Sequence, residues 1–222
     1  MSKPIFILAS NSPRRQKMIE WTGWRFVSFP VDVDESRRTD EPPADYVLRL
    51  AETKARVAAA RSRAAGPILA ADTIVVDGDE LLGKPESDEE VRRMLRQLRG
   101  RTHQVYTAVA LYDPPNLRLL RDLCVTQVPM REYSDEEIEA YIASGDPFDK
   151  AGAYAIQHKE FHPVENFHGC FASVMGLPLC HVLRVMRRFG HEPPVDLPRV
   201  CQTNLDYDCP VTAAILRGEQ AG

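Results

Sequence analysis

Apolar and polar positions alternate in short blocks along this chain, and the period of the blocks changes repeatedly. Residues 5–8 are a continuous apolar run of strand length. Ser12 then stands where an N-cap belongs and Pro13 at a first helical position, so a helix opens there. Residues 25–31 read as a second strand and 32–43 as a polar loop. Across 44–64, Tyr46, Val47, Leu50, Ala51 and Lys54 recur near helical spacing, and Gly66-Pro67 ends that helix. Residues 68–76 form an apolar run with Asp72-Thr73 at its middle, and Gly78-Asp79 turns the chain into a short strand at 80–82.

Downstream, Ser87 with Glu90 and Ser134 with Glu137 have the spacing of capping boxes, opening helices that run to about Leu98 and Ala143. Gly100 closes the first of these, and strands at 103–112 and 117–131 follow, joined through Pro114-Pro115-Asn116. Residues 145–157 are turn-rich and end in a short apolar strand, 169–175 read as another strand, and Leu177-Pro178 opens a core helix to about Phe189. This mixture predicts an α/β fold, a sheet covered by helices. From Gly190 onward the character changes. His191-Glu-Pro-Pro194 and Pro198 read as a linker and 209–217 as a short helix, which divides the chain into a domain at 1–189 and a C-terminal extension at 190–222.

With 222 residues and 44% hydrophobic content, the chain can bury one sizeable core. A net charge of −4 argues against bulk nucleic-acid binding, which normally shows as a basic excess. No apolar stretch has the length of a membrane span and the start lacks signal-peptide features, so a cytoplasmic location with no membrane partner is expected. The five cysteines contain no C-x-x-C pair and read mostly as thiols; the spacing of Cys201 and Cys209, weighed with His181 or His191, matches no common zinc site. His158, His162 and His168 read as surface histidines in a polar loop.

Candidate chemistry concentrates in a few charged residues. Arg14 and Arg15 fall in the first turn of the first helix, where the macrodipole favours anions, and each opposes it by roughly 0.3–1 kcal/mol unless something negative offsets it. A phosphate ligand is the simplest offset; a solvated arginine pair is the plainer reading. Asp72 lies inside an apolar run, where an ionised carboxylate is costly unless paired or bound to a cation. Lys54 projects from a helix and Lys84 sits in the turn Gly83-Lys-Pro85. Glu35, among Asp32, Asp34 and Glu52, is either part of a solvated acidic loop or completes a magnesium site.

Taken together, the blocks Ala9-Ser-Asn-Ser-Pro-Arg-Arg15, Glu52-Thr-Lys-Ala55, Ala71-Asp-Thr73, Gly83-Lys-Pro85, Thr102-His-Gln-Val-Tyr-Thr107, Asp149-Lys-Ala-Gly152 with Tyr154 and Ile156-Gln157, and Gly176-Leu-Pro178 resemble, in order, the Maf family of nucleotide pyrophosphatases. The resemblance covers about residues 4–189. It implies a mixed-sheet α/β fold like that of inosine triphosphate pyrophosphatases, with a nucleotide cleft between two lobes, a homodimer, and a divalent cation, Mg2+ or Mn2+. It further implies hydrolysis of a nucleoside triphosphate to the monophosphate and pyrophosphate. Asp72 matches the proposed general base, with Lys54 and Lys84 as its catalytic companions. Ser12, Arg14, Arg15, Thr73, Lys150 and Gln157 match substrate-binding positions, and Asp72 and Glu35 are the expected metal ligands.

Within the family, Asp149-Lys-Ala-Gly152 and Ile156-Gln157 resemble the branch acting on dTTP and UTP. The Gln157 amide offers donor and acceptor to a pyrimidine edge. His158-Lys-Glu-Phe-His162 departs from the family's small-residue turn and is expected to reshape the mouth of the cleft. Two alternatives stay open: a preference for 7-methyl-GTP or another modified nucleotide, and a non-catalytic nucleotide-binding regulator of cell division.

Overall fold

The computed structural model describes residues 5–62 and 66–222. Its first elements follow from local sequence. The apolar run becomes β1 (Ile5–Leu8), and Ser12 caps α1 (Pro13–Glu20) by accepting the Arg15 N–H, with Pro13 in the first turn. Next come β2 (Arg25–Ser28), α2 (Pro43–Ser62), β3 (Ile68–Asp77), β4 (Glu80–Leu82), α3 (Asp88–Leu98), β5 (Thr102–Asp113), β6 (Arg118–Pro129) and α4 (Asp135–Ala143). The capping box at Ser134 and Glu137 is reciprocal. At α3 only half of it forms: Ser87 accepts from Glu90, whereas the Glu90 carboxylate accepts instead from the Glu86 N–H. The chain closes with α5 (Phe171–Val174), α6 (Leu179–Arg188), α7 (Leu197–Leu205) and α8 (Thr212–Leu216).

The strands make one six-stranded mixed sheet in the order β2-β1-β3-β5-β6, with β4 also on β3. β1 runs parallel to β2 and β3, while β3, β5 and β6 are antiparallel in turn. On one edge β3 pairs with β1 only through Ile68 and Leu69, and with β4 only from Val75 to Asp77. Between these contacts its edge has no strand neighbour among the described residues. Asp72 and Thr73 sit in that interval.

Alternation along β3 then sorts side chains to opposite faces. Ala70, Ile74 and Val76 meet α2 through Val47, Ala51, Ala55 and Ala58. Leu69 and Ala71 join Phe6, Leu8, Met18 and α6 on the other face, while Val75 belongs to a core with α3 and α4 beyond the gap. That last core depends on a left-handed turn. Gly152 has φ +70, and a Cβ there would lie 3.0 Å from Val75.

Three readings of the sequence are corrected. Residues 169–175 are not a strand but the single turn of α5, and 145–157 contain two 3-10 turns (Asp146–Asp149 and Ala151–Ala153) with no strand at their end. Both segments carry apolar runs too short for periodicity to separate strand from turn. The second strand stops at Ser28, and the helix read across 44–64 spans Pro43–Ser62, its last two positions lying outside the described residues. No helix among the described residues is long and apolar enough to cross a membrane.

The segment read as a linker packs closely. His191 sets its ring edge-on to Phe6 at 5.0 Å, and the Trp24 indole donates to the Glu192 carbonyl. Leu197, Cys201 and Ile215 are buried. Arg184 grips both carboxylate oxygens of Asp122 and donates also to the Ile215 and Glu219 carbonyls. A chain cut at Phe189 should therefore lose several kcal/mol of stability, since burying a leucine or isoleucine contributes about 1.5–3 kcal/mol. Urea unfolding measures this, and an unchanged midpoint would show the tail to be dispensable.

Candidate functional site

The interval in the β3 edge opens into a cleft of about 480 Å³, within the usual range for small-molecule sites. Its walls come from the loop after β1 and the start of α1 (Ser10, Ser12, Arg14, Arg15), from Glu35 and Lys54 on one side, and from Lys84, Lys150, Tyr154 and Gln157 on the other. Of the residues expected from sequence, every one but Asp72 borders it directly.

Asp72 stands immediately behind Lys54. The helix α2 turns Val47, Ala51, Lys54 and Ala58 to the sheet, so Lys54 emerges on an otherwise apolar face. Its ammonium donates to Asp72 Oδ1 at 2.5 Å and reaches Glu35 Oε1 at 2.7 Å. The Asp72 side chain is 9% exposed and that of Glu35 59%, so one carboxylate is buried and the other faces solvent. Burial pushes the Asp72 carboxyl above the usual aspartate range, opposed by Lys54 and Arg15.

On the opposite face of β3, Thr73 receives Arg15 Nη2 at 2.9 Å, and Arg15 Nε donates to the Gly176 carbonyl at 2.8 Å. The Thr73 hydroxyl contacts Thr107, which donates to the Ser173 carbonyl. Gly176 has φ +103, and a Cβ would come within 3.3 Å of both Arg15 Nε and Thr73 Oγ1. The guanidinium is thus fixed from two sides. Burial and the neighbouring Arg14 pull Arg15 down from its ordinary value, with Asp72 and Glu35 acting the other way.

Arg14 leans across the cleft to Asp149 Oδ2 at 3.0 Å. Lys150 is buried, and its ammonium is held by the Asp146 carbonyl and carboxylate and by Asp149 Oδ1. Although burial raises Asp149, hydrogen bonding from Lys150 and the charge of Arg14 hold its carboxyl below the usual range. Lys84 and Gln157 are exposed on the rim. The Gln157 side chain is therefore open to a ligand.

The wall of the cleft ends at Gln157 on this side, and residues 158–162 follow directly after it. Of these residues Phe161 is buried, stacked on Tyr141 at 4.3 Å, and His158 Nδ1 accepts the Phe161 N–H, while Lys159, Glu160 and His162 are exposed. Sequence reasoning missed Asp149 as the common partner of Arg14 and Lys150, and Tyr154 as a wall residue. A carboxylate directly before a buried lysine was the available signal.

No three His, Cys, Asp or Glu side chains gather into a metal-binding group among the described residues. Glu35 and Asp72, both on the Lys54 ammonium, nevertheless place two hard oxygen donors together, and magnesium needs only one or two carboxylates beside phosphate oxygens.

A Lys54→Met substitution should leave Asp72 buried without its nearest cation, costing about 3–5 kcal/mol near neutrality. Because the folded-state Asp72 is already raised, the deficit should shrink as pH falls and the carboxyl protonates. Urea unfolding at neutral and mildly acidic pH checks this, and adding Asp72→Asn should recover part of the loss.

Comparison with known proteins places these residues in context. The family described as "Maf-like protein" matches residues 5–189. The dTTP/UTP pyrophosphatase of Geotalea uraniireducens is 44% identical over 189 residues, covering 85% of this chain and 97% of that protein. The dTTP/UTP pyrophosphatase of Thermomicrobium roseum is 46% identical over 215 residues and covers 94% of each chain, a span that runs past Phe189 into the tail. Among solved structures, a Vibrio cholerae protein covers 86% of this chain at 13% identity with a TM-score of 0.42, a likeness too loose to weigh.

Proposed function

The chain belongs to the Maf-like protein family, and from that membership together with its cleft we propose that it hydrolyses nucleoside triphosphates, dTTP and UTP foremost, to the monophosphate and pyrophosphate. The observation that carries the reading is the set of cations around the cleft, Arg14, Arg15, Lys54 and Lys84, facing the Lys54-bridged pair of carboxylates. A triphosphate brings several negative charges, and their neutralisation is the main electrostatic demand of phosphoryl transfer.

The backbone N–H groups at the start of α1 and the capping Ser12 offer a phosphate cradle, reinforced by Arg14 and Arg15. Lys84, on the rim, meets the pyrophosphate end. Asp72 accepts the proton of the attacking water, and its raised affinity for protons suits it to that role. Lys54 keeps the carboxylate oriented. Glu35 and Asp72 would hold a divalent cation, Mg2+ or Mn2+, which when bound with substrate supplies further neutralisation of the phosphates. On the far wall, Thr73 sets the Arg15 guanidinium, Lys150 fixes Asp149 and thereby Arg14, and the Gln157 amide meets the base.

The test is pyrophosphate release by purified protein with magnesium or manganese, across dTTP, UTP, CTP, ATP and 7-methyl-GTP. Highest kcat/KM is expected with dTTP and UTP. Asp72→Asn should lower kcat by about 10²-fold or more while the protein stays folded. Gln157→Ala should narrow the preference for dTTP and UTP by about 3- to 10-fold, the worth of one or two hydrogen bonds. Absence of turnover with every nucleotide would overturn the proposal.

A further inference from the structure

The cysteines of this chain gather in the lobe that the tail completes. Cys170, Cys180, Cys201 and Cys209 line one narrow cavity beneath α7, and Cys124 of β6 lies in the adjoining core. Cys170 stands immediately before α5, and Cys209, brought in by the tail, shares the cavity with it and sets its Sγ 4.0 Å from the carbonyl oxygen of Gly169, the residue preceding Cys170. Cys209 is half-buried whereas the other four are buried, so it is the thiol that solvent reaches.

The surroundings of Cys209 favour its thiolate. Hydrogen bonding from Cys170, then from Thr212 and the N–H groups of Val211 and Thr212, outweighs burial and draws it down to about 6. Cys180 and Cys201, in the same cavity, are instead pushed up to about 12 by burial. The neighbours of Cys170 raise it, leaving that thiol the protonated member of the pair.

We propose that Cys209 and Cys170 form an oxidation-sensitive pair, with a hydroperoxide as oxidant, whose disulfide fastens the tail to the segment behind the cleft. The Cys209 thiolate attacks the peroxide, the O–O bond breaks, and the departing oxygen leaves protonated as water or an alcohol. The resulting Cys209 sulfenic acid is then attacked by the Cys170 sulfur. An S–S bond forms, the S–O bond breaks, and hydroxide leaves with the Cys170 proton as water. The electrons that reduce the peroxide come from the two thiols.

The position of Cys170 gives this bond a reach beyond the tail. α5 leads directly to Met175 and Gly176, which border the cleft, and Gly176 holds Arg15. The proposal stands apart from the assigned reaction, because neither cysteine lines the cleft; Cys170 meets its wall only through a backbone carbonyl that accepts the Val174 N–H.

The experiment treats the folded full chain with hydrogen peroxide, alkylates remaining thiols under denaturing conditions and maps tryptic fragments by mass spectrometry. Fragment 160–184 should appear joined to fragment 200–217. Each carries two cysteines, so the link should vanish in Cys209→Ser and Cys170→Ser and persist in Cys180→Ser and Cys201→Ser. Oxidation should also raise the Tm of the wild-type chain by a few degrees and leave that of Cys209→Ser unchanged. Should Cys170→Ser fail to fold, Cys209→Ser alone decides. Absence of the link in the wild type, its persistence in Cys209→Ser, or joining of Cys170 to the fragment carrying Cys124 would overturn the proposal.

Discussion

A single strand shared by two lobes is the constraint on which this structure rests. β3 gives its first residues to β1 and its last to β4, and the interval between them is where the cleft opens. The opposite edge is fully paired with β5 from Ile68 to Val76, so backbone hydrogen bonding on that side continues unbroken across the gap. Asp72 and Thr73 are thereby held on backbone that cannot slide, and each faces a different layer. Small residues finish the arrangement. Ala51, Ala55 and Ala58 of α2 lie against Ala70, Ala108 and Ala110, which lets the helix approach the sheet closely enough for Lys54 to reach Asp72.

Charge in the cleft is arranged as a set of exchangeable partners. Arg14 leans on Asp149, Lys54 on Asp72 and Glu35, and Lys150 on Asp146 and Asp149. These contacts resolve the apparent mismatch of two arginines at the amino end of α1, since each has found an acceptor outside the helix. They also set the terms of binding. A polyanion entering the cleft competes with exposed carboxylates such as Asp149 and Glu35, whose hold is weak in water.

Much of this was legible in the sequence where local chemistry decides the outcome. The Ser12 cap, the Ser134 capping box and the two-residue turn at Gly78 all formed as their residue types dictate. Lys54 could be placed on the apolar face of α2 by counting. The segments misread were those whose conformation depends on distant partners. Residues 169–175 look like a strand, yet they fold as one turn because Phe171 is drawn to Phe167 and Tyr207. The prolines near 194 and 198 suggested a linker, whereas Pro198 occupies the first turn of α7 behind the Asp196 cap. The pairing of Arg14 with Asp149 spans 135 positions, and no local pattern announces it.

The way the tail returns to the body has a consequence for how the chain is made. The core around α6 joins Phe6 and Leu8 to Leu197 and Cys201, which leave the ribosome much later, with Ile215 buried close by on α8. That lobe cannot close during synthesis until the chain has emerged past Ile215. The core formed by α3 and α4 draws on residues 75–164 and has all its parts much sooner. Newborn chains therefore spend an interval with one half assembled and the other exposing its apolar face, the kind of surface through which partly folded chains associate.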